Sequence, residues 1–159
     1  MAATRIEIIA VGKLKEKFWT DACAEYLMRL GRYATVNVVE VADQDQRFDG
    51  NTKLVLKAEA ELLQKRIADE AYTVVLDKEG AQLLSEEFAD LVVKFQGSGM
   101  SKLRFVIGGS WGVDDSIKEQ ADMRISFGPL TLPHNLARVV LLEQLYRCFR
   151  IIKGEPYHK

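Results

Sequence analysis

Hydrophobic positions along the chain follow two spacings, one typical of buried strands and one typical of amphipathic helices. The run Ile6–Gly12 is apolar on both faces and ends in glycine, which indicates a strand buried on both sides. The segment after it has apolar residues three or four positions apart, at Trp19, Cys23, Tyr26 and Leu30. The two patterns then alternate to the end of the sequence, which predicts an α/β fold.

Ten elements follow from this alternation. The predicted strands are Ile6–Gly12, Thr35–Val41, Tyr72–Leu76, Leu103–Ile107 and Met123–Phe127. The predicted helices are Phe18–Arg32, Lys53–Glu70, Ser85–Gln96, a short one to Ala121 capped by Asp114 or Asp115, and Asn135–Ile152. Strands alternating with helices predict one domain, residues 1–159, with a mainly parallel sheet flanked by helices.

Two helices carry more detailed predictions. In the second helix, the spacing of Leu54, Ala58, Leu62 and Ile67 predicts an inward face, with the lysines and glutamates facing solvent. The third helix is predicted to have Ser85 as its N-cap, and the two glutamates that follow favour the positive helix end.

Composition narrows the class of protein. The 159 residues are 48% hydrophobic and 28% charged, as in an ordinary globular domain, and the longest aliphatic run is Val139–Leu142. The start of the chain lacks the apolar core of a signal peptide. Cys23 and Cys148 have no metal-ligand spacing and suit a reducing compartment. We therefore expect a cytoplasmic protein with no metal and no membrane partner.

The net charge of −1 hides an uneven distribution. Residues 123–159 carry a net charge of +4, and the first 122 residues carry −5. A basic surface on an acidic body is what a protein that binds a polyanion would present. An ordinary solvated helix face would give the same count, so charge alone leaves both interpretations open.

Three strand ends carry unusual residues where an open α/β sheet binds ligands. They are LDKEG after the third strand, GGSWG after the fourth, and the apolar loop Phe127–Leu132 after the fifth. Paired glycines let a ligand approach the backbone closely, although a tight turn needs them as well. Neither GxGxxG nor a P-loop is present. The uncharged third loop suits a flat apolar ligand recognised by backbone groups, such as adenine.

The last helix places one cation on an apolar stripe. Arg138 shares this stripe with Leu142, Leu145, Phe149 and Ile152, and it lies in the first turn, where the helix dipole disfavours a positive charge by about 0.3–1 kcal/mol. Such a residue needs an anionic partner, which could be an internal carboxylate, a neighbouring subunit or a phosphate. The opposite face is also partly apolar, so the helix is expected to pack against its own core and another chain.

Several of these motifs together resemble a known family. The series LDKEG, FVIGGSWG and SFGPLTLPHNLARVVLLEQLYRCFRIIKGEPYHK is similar to the ribosomal large subunit methyltransferase H family, in the SPOUT superfamily of knotted RNA methyltransferases. The resemblance covers essentially the whole chain. It implies a C-terminal trefoil knot, which general rules of chain topology would reject, and a homodimer with its active site near the subunit interface.

The resemblance also implies site residues. S-adenosylmethionine would bind, in a bent conformation, to Leu76, Gly108, Gly109, Phe127, Gly128, Pro129, Leu130, Thr131 and Leu132. Candidates near the transferred methyl group are His134, Arg138, Tyr157 and His158. Arg138 could hold a phosphate or stabilise an anionic base. Tyr157 and His158 could stack on that base. His158 or water could accept the proton.

The implied reaction is methylation at N3 of a pseudouridine in large-subunit rRNA within the ribosome. The transfer needs positioning and a route for one proton, and it needs no metal. Two other interpretations stay open at this stage. A ribosome-associated RNA-binding module would bind RNA without moving a methyl group, and a flavodoxin-like domain would bind a phosphate-bearing cofactor.

Overall fold

The computed structural model describes residues 3–157, which form five strands and five helices in the predicted order. The strands are β1 (Thr4–Val11), β2 (Ala34–Val41), β3 (Tyr72–Gln82), β4 (Leu103–Ile107) and β5 (Met123–Ser126). The helices are α1 (Lys17–Leu30), α2 (Thr52–Arg66), α3 (Ser85–Gln96), α4 (Asp115–Lys118) and α5 (His134–Ile152). The α/β class and the parallel sheet are therefore confirmed.

The strands form one parallel sheet in the order β2-β1-β4-β3-β5. The central strands β1 and β4 are apolar on both faces, and Ile8 lies between Val38 of β2 and Phe105 of β4. All carboxyl ends therefore point to the same edge of the sheet, which is where ligands bind in this architecture.

Helices cover both faces of the sheet. Alternate strand residues point to opposite faces, so Ile8 packs with α1, α3 and α5, whereas Ile9 packs with α2 and α4. Both isoleucines are fully buried. On the first face α5 packs against both α1 and α3. The stripe of α5 that contains Arg138, Leu142, Leu145 and Phe149 is buried, as predicted.

The buried face of α2 differs from the prediction. Two of its four predicted positions are buried, but Leu54 is exposed and Leu62 is only half-buried. Val55 and Leu63, one position further along the chain, are buried instead. The buried face also includes Glu59, so not every glutamate of this helix faces solvent. Hydropathy placed that carboxylate outside because a buried charge is rare without a special reason.

Strand β3 runs beyond its predicted end at Leu76. The residues after Leu76 continue as strand to Gln82, and the pairing with β5 shifts so that both Leu76 and Ala81 oppose Ile125. A Cβ on Gly80 would lie 2.7 Å from the backbone of Arg124, so this irregular pairing requires glycine. The motif DKEG is therefore a bulged strand and not a simple loop.

The N-cap residues of α3 and α4 were both predicted, and the structure corrects the first and decides the second. The N-cap of α3 is Leu84 and not Ser85, and the Glu87 carboxylate accepts the Leu84 N–H at 2.6 Å. The Ser85 hydroxyl instead donates to Gln144 of α5 at 2.9 Å. Of the two candidate caps for α4, Asp114 is the one used, since its carboxylate accepts the N–H of Ser116 at 3.1 Å.

Candidate active site

A cavity of about 380 Å³ lies beyond the carboxyl ends of β3, β4 and β5. Residues from 76–78, 107–112 and 125–132 form its walls with the first turn of α5. These are the three strand ends that the sequence singled out. Of the residues assigned to a cofactor by resemblance, Leu76, Gly108, Gly109, Phe127, Gly128, Leu130, Thr131 and Leu132 line this cavity, and Pro129 does not.

Glycines make one wall of the cavity from bare backbone. A Cβ on Gly108 would lie 2.3 Å from the carbonyl oxygen of Gly112, which is far too close for any other residue. The Gly112 N–H donates to the carbonyl of Gly109 at 3.1 Å, and Gly112 itself has a φ of +87°. The tight-turn explanation of these glycines is therefore correct, and the same turn exposes its backbone to the cavity.

Among residues 3–157, the charged side chains that line the cavity lie at one rim. Asp77 is nearly buried, with Lys118 Nζ at 3.3 Å and Arg124 Nη1 at 3.7 Å from its carboxylate. Burial opposes ionisation of Asp77, but the hydrogen bond from the Glu79 N–H and the two cations outweigh it and lower its pKa. Asp77 therefore stays ionised and holds the two basic side chains at this rim.

His134 begins α5 and lines the cavity. Its ring packs so closely against Gly12 that a Cβ there would lie 2.9 Å from His134 Cε1. Burial, together with the positive charge of Arg138, lowers the pKa of this imidazole. Its Nδ1 is buried and has no hydrogen-bond partner among residues 3–157. The structure therefore provides a neutral imidazole at the cavity wall, with one nitrogen free of any bond to the described chain.

Arg138 lies one turn further along α5 and is only 3% exposed. Its Nη1 is 2.7 Å from the Glu40 carboxylate, and its Nη2 donates to the Gly12 carbonyl at 3.1 Å. Of the three partners left open by the sequence, the structure supplies the internal carboxylate. Arg138 thus ties the first turn of α5 to the ends of β1 and β2, directly beside His134.

Tyr157 lies on the outer side of α5, away from this group. Its hydroxyl donates to the Glu143 carboxylate, and the guanidinium of Arg147 lies 3.6 Å from its ring centre. Burial and the bond to Glu143 raise the pKa of Tyr157 to about 12, so it is a neutral phenol at physiological pH. The fourth candidate, His158, lies outside the described residues. The structure therefore brings His134 and Arg138 together but not Tyr157.

The three arginines of α5 form ion pairs within the chain. Arg138 pairs with Glu40, Arg147 pairs with Glu143 at 2.8 Å, and Arg150 pairs with Glu155. The charge count already included Glu143 and Glu155, but it missed Glu40 because that residue is distant in sequence. The arginines of α5 are thus each neutralised by a carboxylate of the same chain.

Two acidic residues behind the glycine turn were not indicated by any sequence pattern. Glu59 is only 2% exposed, and one of its carboxylate oxygens accepts the Gln44 N–H at 2.9 Å. Burial raises its pKa, although that hydrogen bond opposes the shift. Asp45 accepts from the hydroxyl of Ser110 at 3.1 Å. A Cβ on Gly109 would lie 3.3 Å from Glu59 Oε1, so the turn and the carboxylate are in contact.

The lining residue Trp111 also escaped the sequence argument, whereas Leu130 was predicted. Trp111 lies at the mouth of the cavity and is exposed, as is Leu130 on the opposite loop. The motif GGSWG was noted for its glycines, but nothing in the pattern separated this tryptophan from an ordinary core aromatic. Two large apolar side chains at an open mouth indicate that a ligand or another chain covers it.

Within residues 3–157, no group of three histidine, cysteine, aspartate or glutamate side chains is arranged to hold a metal ion. In the same part of the chain, none of the helices combines the length and apolar character that crossing a bilayer requires.

Comparison with known sequences gives close matches over almost the whole chain. The family described as "Predicted SPOUT methyltransferase" matches residues 4–158. The protein named ribosomal RNA large subunit methyltransferase H from Listeria monocytogenes serotype 4a (strain HCC23) is 48% identical over 157 residues, which cover 97% of this chain and 99% of the relative. The protein of the same name from Clostridium botulinum (strain Kyoto / Type A2) is 44% identical over equal shares.

Solved structures with low sequence identity share the fold. A probable methylase family protein from Haemophilus influenzae Rd KW20 has a TM-score of 0.60 at 14% identity, over 98% of this chain and 71% of that one. A probable methyltransferase from Bordetella pertussis Tohama I has a TM-score of 0.54 at 14% identity, over 91% and 94%. At such identities the likeness concerns the fold alone.

Proposed function

Since the chain belongs to the ribosomal RNA large subunit methyltransferase H family of SPOUT methyltransferases, we propose that it methylates N3 of a pseudouridine in large-subunit rRNA within the assembled ribosome, as one cytoplasmic domain. The observation that carries the proposal is the cavity of about 380 Å³ at the strand ends, walled by glycine backbone and the loop 125–132. The family also implies that this loop belongs to a trefoil knot.

The cavity fits S-adenosylmethionine. Its volume lies in the range of roughly 300–1,000 Å³ that is typical of small-molecule sites. The Gly108–Gly112 turn has no room for a Cβ at Gly108, so the backbone itself forms the wall against a ligand. Loop 127–132 and Leu76 would hold the flat adenine between apolar surfaces and backbone groups. S-adenosylmethionine, when bound, supplies an activated methyl group on a sulfonium sulfur.

The chain's own residues would position the base and receive its proton. His134 is the candidate proton acceptor that lines the cavity, and its lowered pKa keeps the imidazole neutral and able to accept a proton. Arg138 holds His134 and Gly12 in place through its bonds to Glu40 and the Gly12 carbonyl. The Glu40 carboxylate neutralises Arg138, so Arg138 would act on the base indirectly, through the position of His134.

A homodimer would account for the position of Tyr157. In one subunit Tyr157 contacts Glu143 and Arg147. On α5, Glu143 lies about two and a half turns beyond His134, and Arg147 lies about three and a half turns beyond it. Near the subunit interface of a dimer, the tail of one subunit, including Tyr157 and His158, could complete the cavity of the other. The exposed Trp111 and Leu130 at the cavity mouth would then be covered.

The proposal is tested by methyl transfer from labelled S-adenosylmethionine to ribosomes that lack the modification and, in parallel, to protein-free rRNA. We expect label at one pseudouridine on ribosomes, and one cofactor bound per cavity by calorimetry. Label at another nucleotide would support methyltransferase activity and refute the proposed target nucleotide. Absence of both transfer and cofactor binding would refute the enzyme and favour a ribosome-associated RNA-binding module.

A further inference from the structure

The segment after β1 presents three lysines beside an exposed aromatic ring. Lys13, Lys15 and Lys17 alternate along the sequence GKLKEKFW, and all three are exposed. Phe18 is 62% exposed, and its ring centre lies 5.0 Å from that of Trp19. We call residues 13–19 the lysine-aromatic segment. It combines positive charge with a flat apolar surface, and neither is used by the core.

This segment lies beside the candidate active site. It follows the carboxyl end of β1, and β1 is the direct neighbour of β4, whose end forms the glycine wall of the cavity. Adjacent strands are about 4.8 Å apart. Gly12, the residue before the segment, packs against the ring of His134 and accepts a hydrogen bond from Arg138. A ligand that reaches His134 from outside would therefore pass close to Lys13.

The lysines of this segment have few internal partners. Neither Lys13 nor Lys15 has a carboxylate within 4.0 Å among residues 3–157, and Lys17 forms only a surface pair with Asp21 at 2.6 Å. The first turn of α1 contains no acidic residue, although the helix dipole favours one there. Lys13 and Lys15 precede α1 and form no ion pair that would stabilise it. The arginines of α5, by contrast, are paired with carboxylates of the same chain.

We propose, on the basis of the function proposed above, that the lysine-aromatic segment binds the RNA substrate next to its target nucleotide. Lys13 and Lys15 contact phosphates, and Phe18 stacks on an unpaired base. Single-stranded RNA is commonly held by lysines along its backbone and by aromatic rings under its bases. The segment offers both kinds of group at the edge of the cavity, and α5 offers no comparable set of unpaired cations among its described residues.

The lysines are tested with the variant Lys13→Ala/Lys15→Ala. The matched control is Lys57→Ala/Lys65→Ala, which removes two exposed lysines from α2 on the other face of the sheet. We expect the KM for unmodified ribosomes to rise about tenfold at 0.1 M KCl, with kcat and cofactor affinity unchanged. The dependence of log KM on log salt should weaken by roughly 1.4–1.8, because two phosphate contacts are lost. The control should behave like wild type.

Phe18 is tested separately with Phe18→Ala and Phe18→Trp. The control is Met28→Ala, since Met28 is 65% exposed near the other end of the same helix. Loss of a stacking ring should raise the KM for ribosomes about tenfold, and tryptophan should restore it. Loss of activity in Phe18→Trp equal to that in Phe18→Ala would overturn the stacking role.

The results distinguish binding of RNA by this segment from contact with another partner. An unchanged KM in the lysine variant would overturn the proposal, and so would a raised KM with an unchanged salt dependence, which would indicate a protein contact. A lower oligomeric mass of the variant in sedimentation would assign the segment to contact with a second copy of this chain. If wild type transfers no methyl group, the proposed function fails, and filter binding of wild type and variant to protein-free rRNA then decides whether the segment binds RNA.

Discussion

The amino and carboxyl edges of the sheet differ in whether their buried polar groups are hydrogen-bonded. At the amino edge, buried Arg104 donates to Glu7 at 2.7 Å, to the Asp69 carbonyl at 3.1 Å and to the Asp69 carboxylate, which Lys102 also contacts at 2.5 Å. At the carboxyl edge, several buried polar atoms have no partner among residues 3–157. They are Asp45 Oδ1, Glu59 Oε1, His134 Nδ1, Asn135 Oδ1 and Arg138 Nε, and Arg147 Nε further along α5 also has none.

This difference distinguishes polar groups that stabilise the fold from polar groups that are available to a ligand. Buried polar groups in folded proteins are nearly always hydrogen-bonded, because an unpaired one costs about 1–3 kcal/mol. The amino edge follows that rule, and its ion pairs join β1, β4 and the chain before β3. The carboxyl edge departs from it, and one of its residues with an unpaired atom, His134, lines the cavity, where a ligand or water would supply the missing partner. Departures of this kind concentrate at functional sites.

The largest effect on stability is expected at the amino edge. Arg104→Met removes a buried cation, leaves two backbone carbonyls without this donor and leaves Glu7 with only Lys102 at 3.4 Å, so the free energy of unfolding should fall by about 3–5 kcal/mol. Chemical denaturation measures this change. The affinity of the remaining folded protein for S-adenosylmethionine should stay within about twofold. A large loss of affinity in the folded fraction would mean that the two edges are not independent.

The largest effect on binding is expected at the carboxyl edge. Gly108→Ala puts a Cβ 2.3 Å from the Gly112 carbonyl, so the turn must open and cofactor affinity should fall at least a hundredfold, about 2.7 kcal/mol. Calorimetry measures the affinity. The matched control is Gly97→Ala, where φ is −86° and the nearest atom to the new Cβ is 3.8 Å away. Normal affinity in Gly108→Ala would contradict the assignment of this wall to the cofactor.

Removal of the tail tests whether the carboxyl edge extends to the end of the chain. A version that ends at Pro156 lacks Tyr157, His158 and Lys159, and its methyl transfer to ribosomes should fall at least fiftyfold, about 2.3 kcal/mol. Its free energy of unfolding should change by less than about 1 kcal/mol, because Tyr157 is not part of the hydrophobic core. Tyr157→Phe keeps the ring and loses only the bond to Glu143. Normal transfer by the shortened chain would exclude a catalytic role of the tail.

The smallest expected effect is on the pH dependence of the free energy of unfolding. Because burial and Arg138 lower the pKa of His134 in the folded protein, the unfolded chain binds a proton first as pH falls below about 6.5. The free energy of unfolding should therefore decrease as pH falls from about 6.5 toward the lower pKa of the folded state. Denaturation of wild type and His134→Asn at several pH values measures this slope. An equal slope in both proteins would show that His134 is not the group that titrates.

Much of the fold was accessible from the sequence because apolar periodicity reports burial directly. The doubly buried strand β1 and the Arg138 stripe of α5 were predicted in this way, and both are confirmed. The errors arose where a position is decided by a neighbour distant in sequence. Glu59 is buried because the 42–45 loop and the glycine turn pack on it, and β3 extends because Gly80 allows β5 to pair across a bulge.

The candidate site was predictable to a similar extent. Its glycines and its uncharged loop stand out in the sequence because strand ends rarely combine them, and they line the cavity. The roles of single side chains were less accessible. The sequence left the partner of Arg138 open, and only folding brings Glu40, 98 positions away, within 2.7 Å of it. The position of Tyr157 on α5 likewise depends on how the tail turns back after the helix.

The sequence by itself determined the alternation of strands and helices, the edge of the sheet that binds a ligand, and the membership of a family. These properties depend on local spacing and on short motifs, which a linear chain displays directly. The tertiary structure decided which charges are neutralised and which polar atoms are left without partners. Both outcomes depend on distances between residues far apart in sequence. For that reason the free lysines beside the cavity could be distinguished from the paired arginines of α5 only in the folded chain.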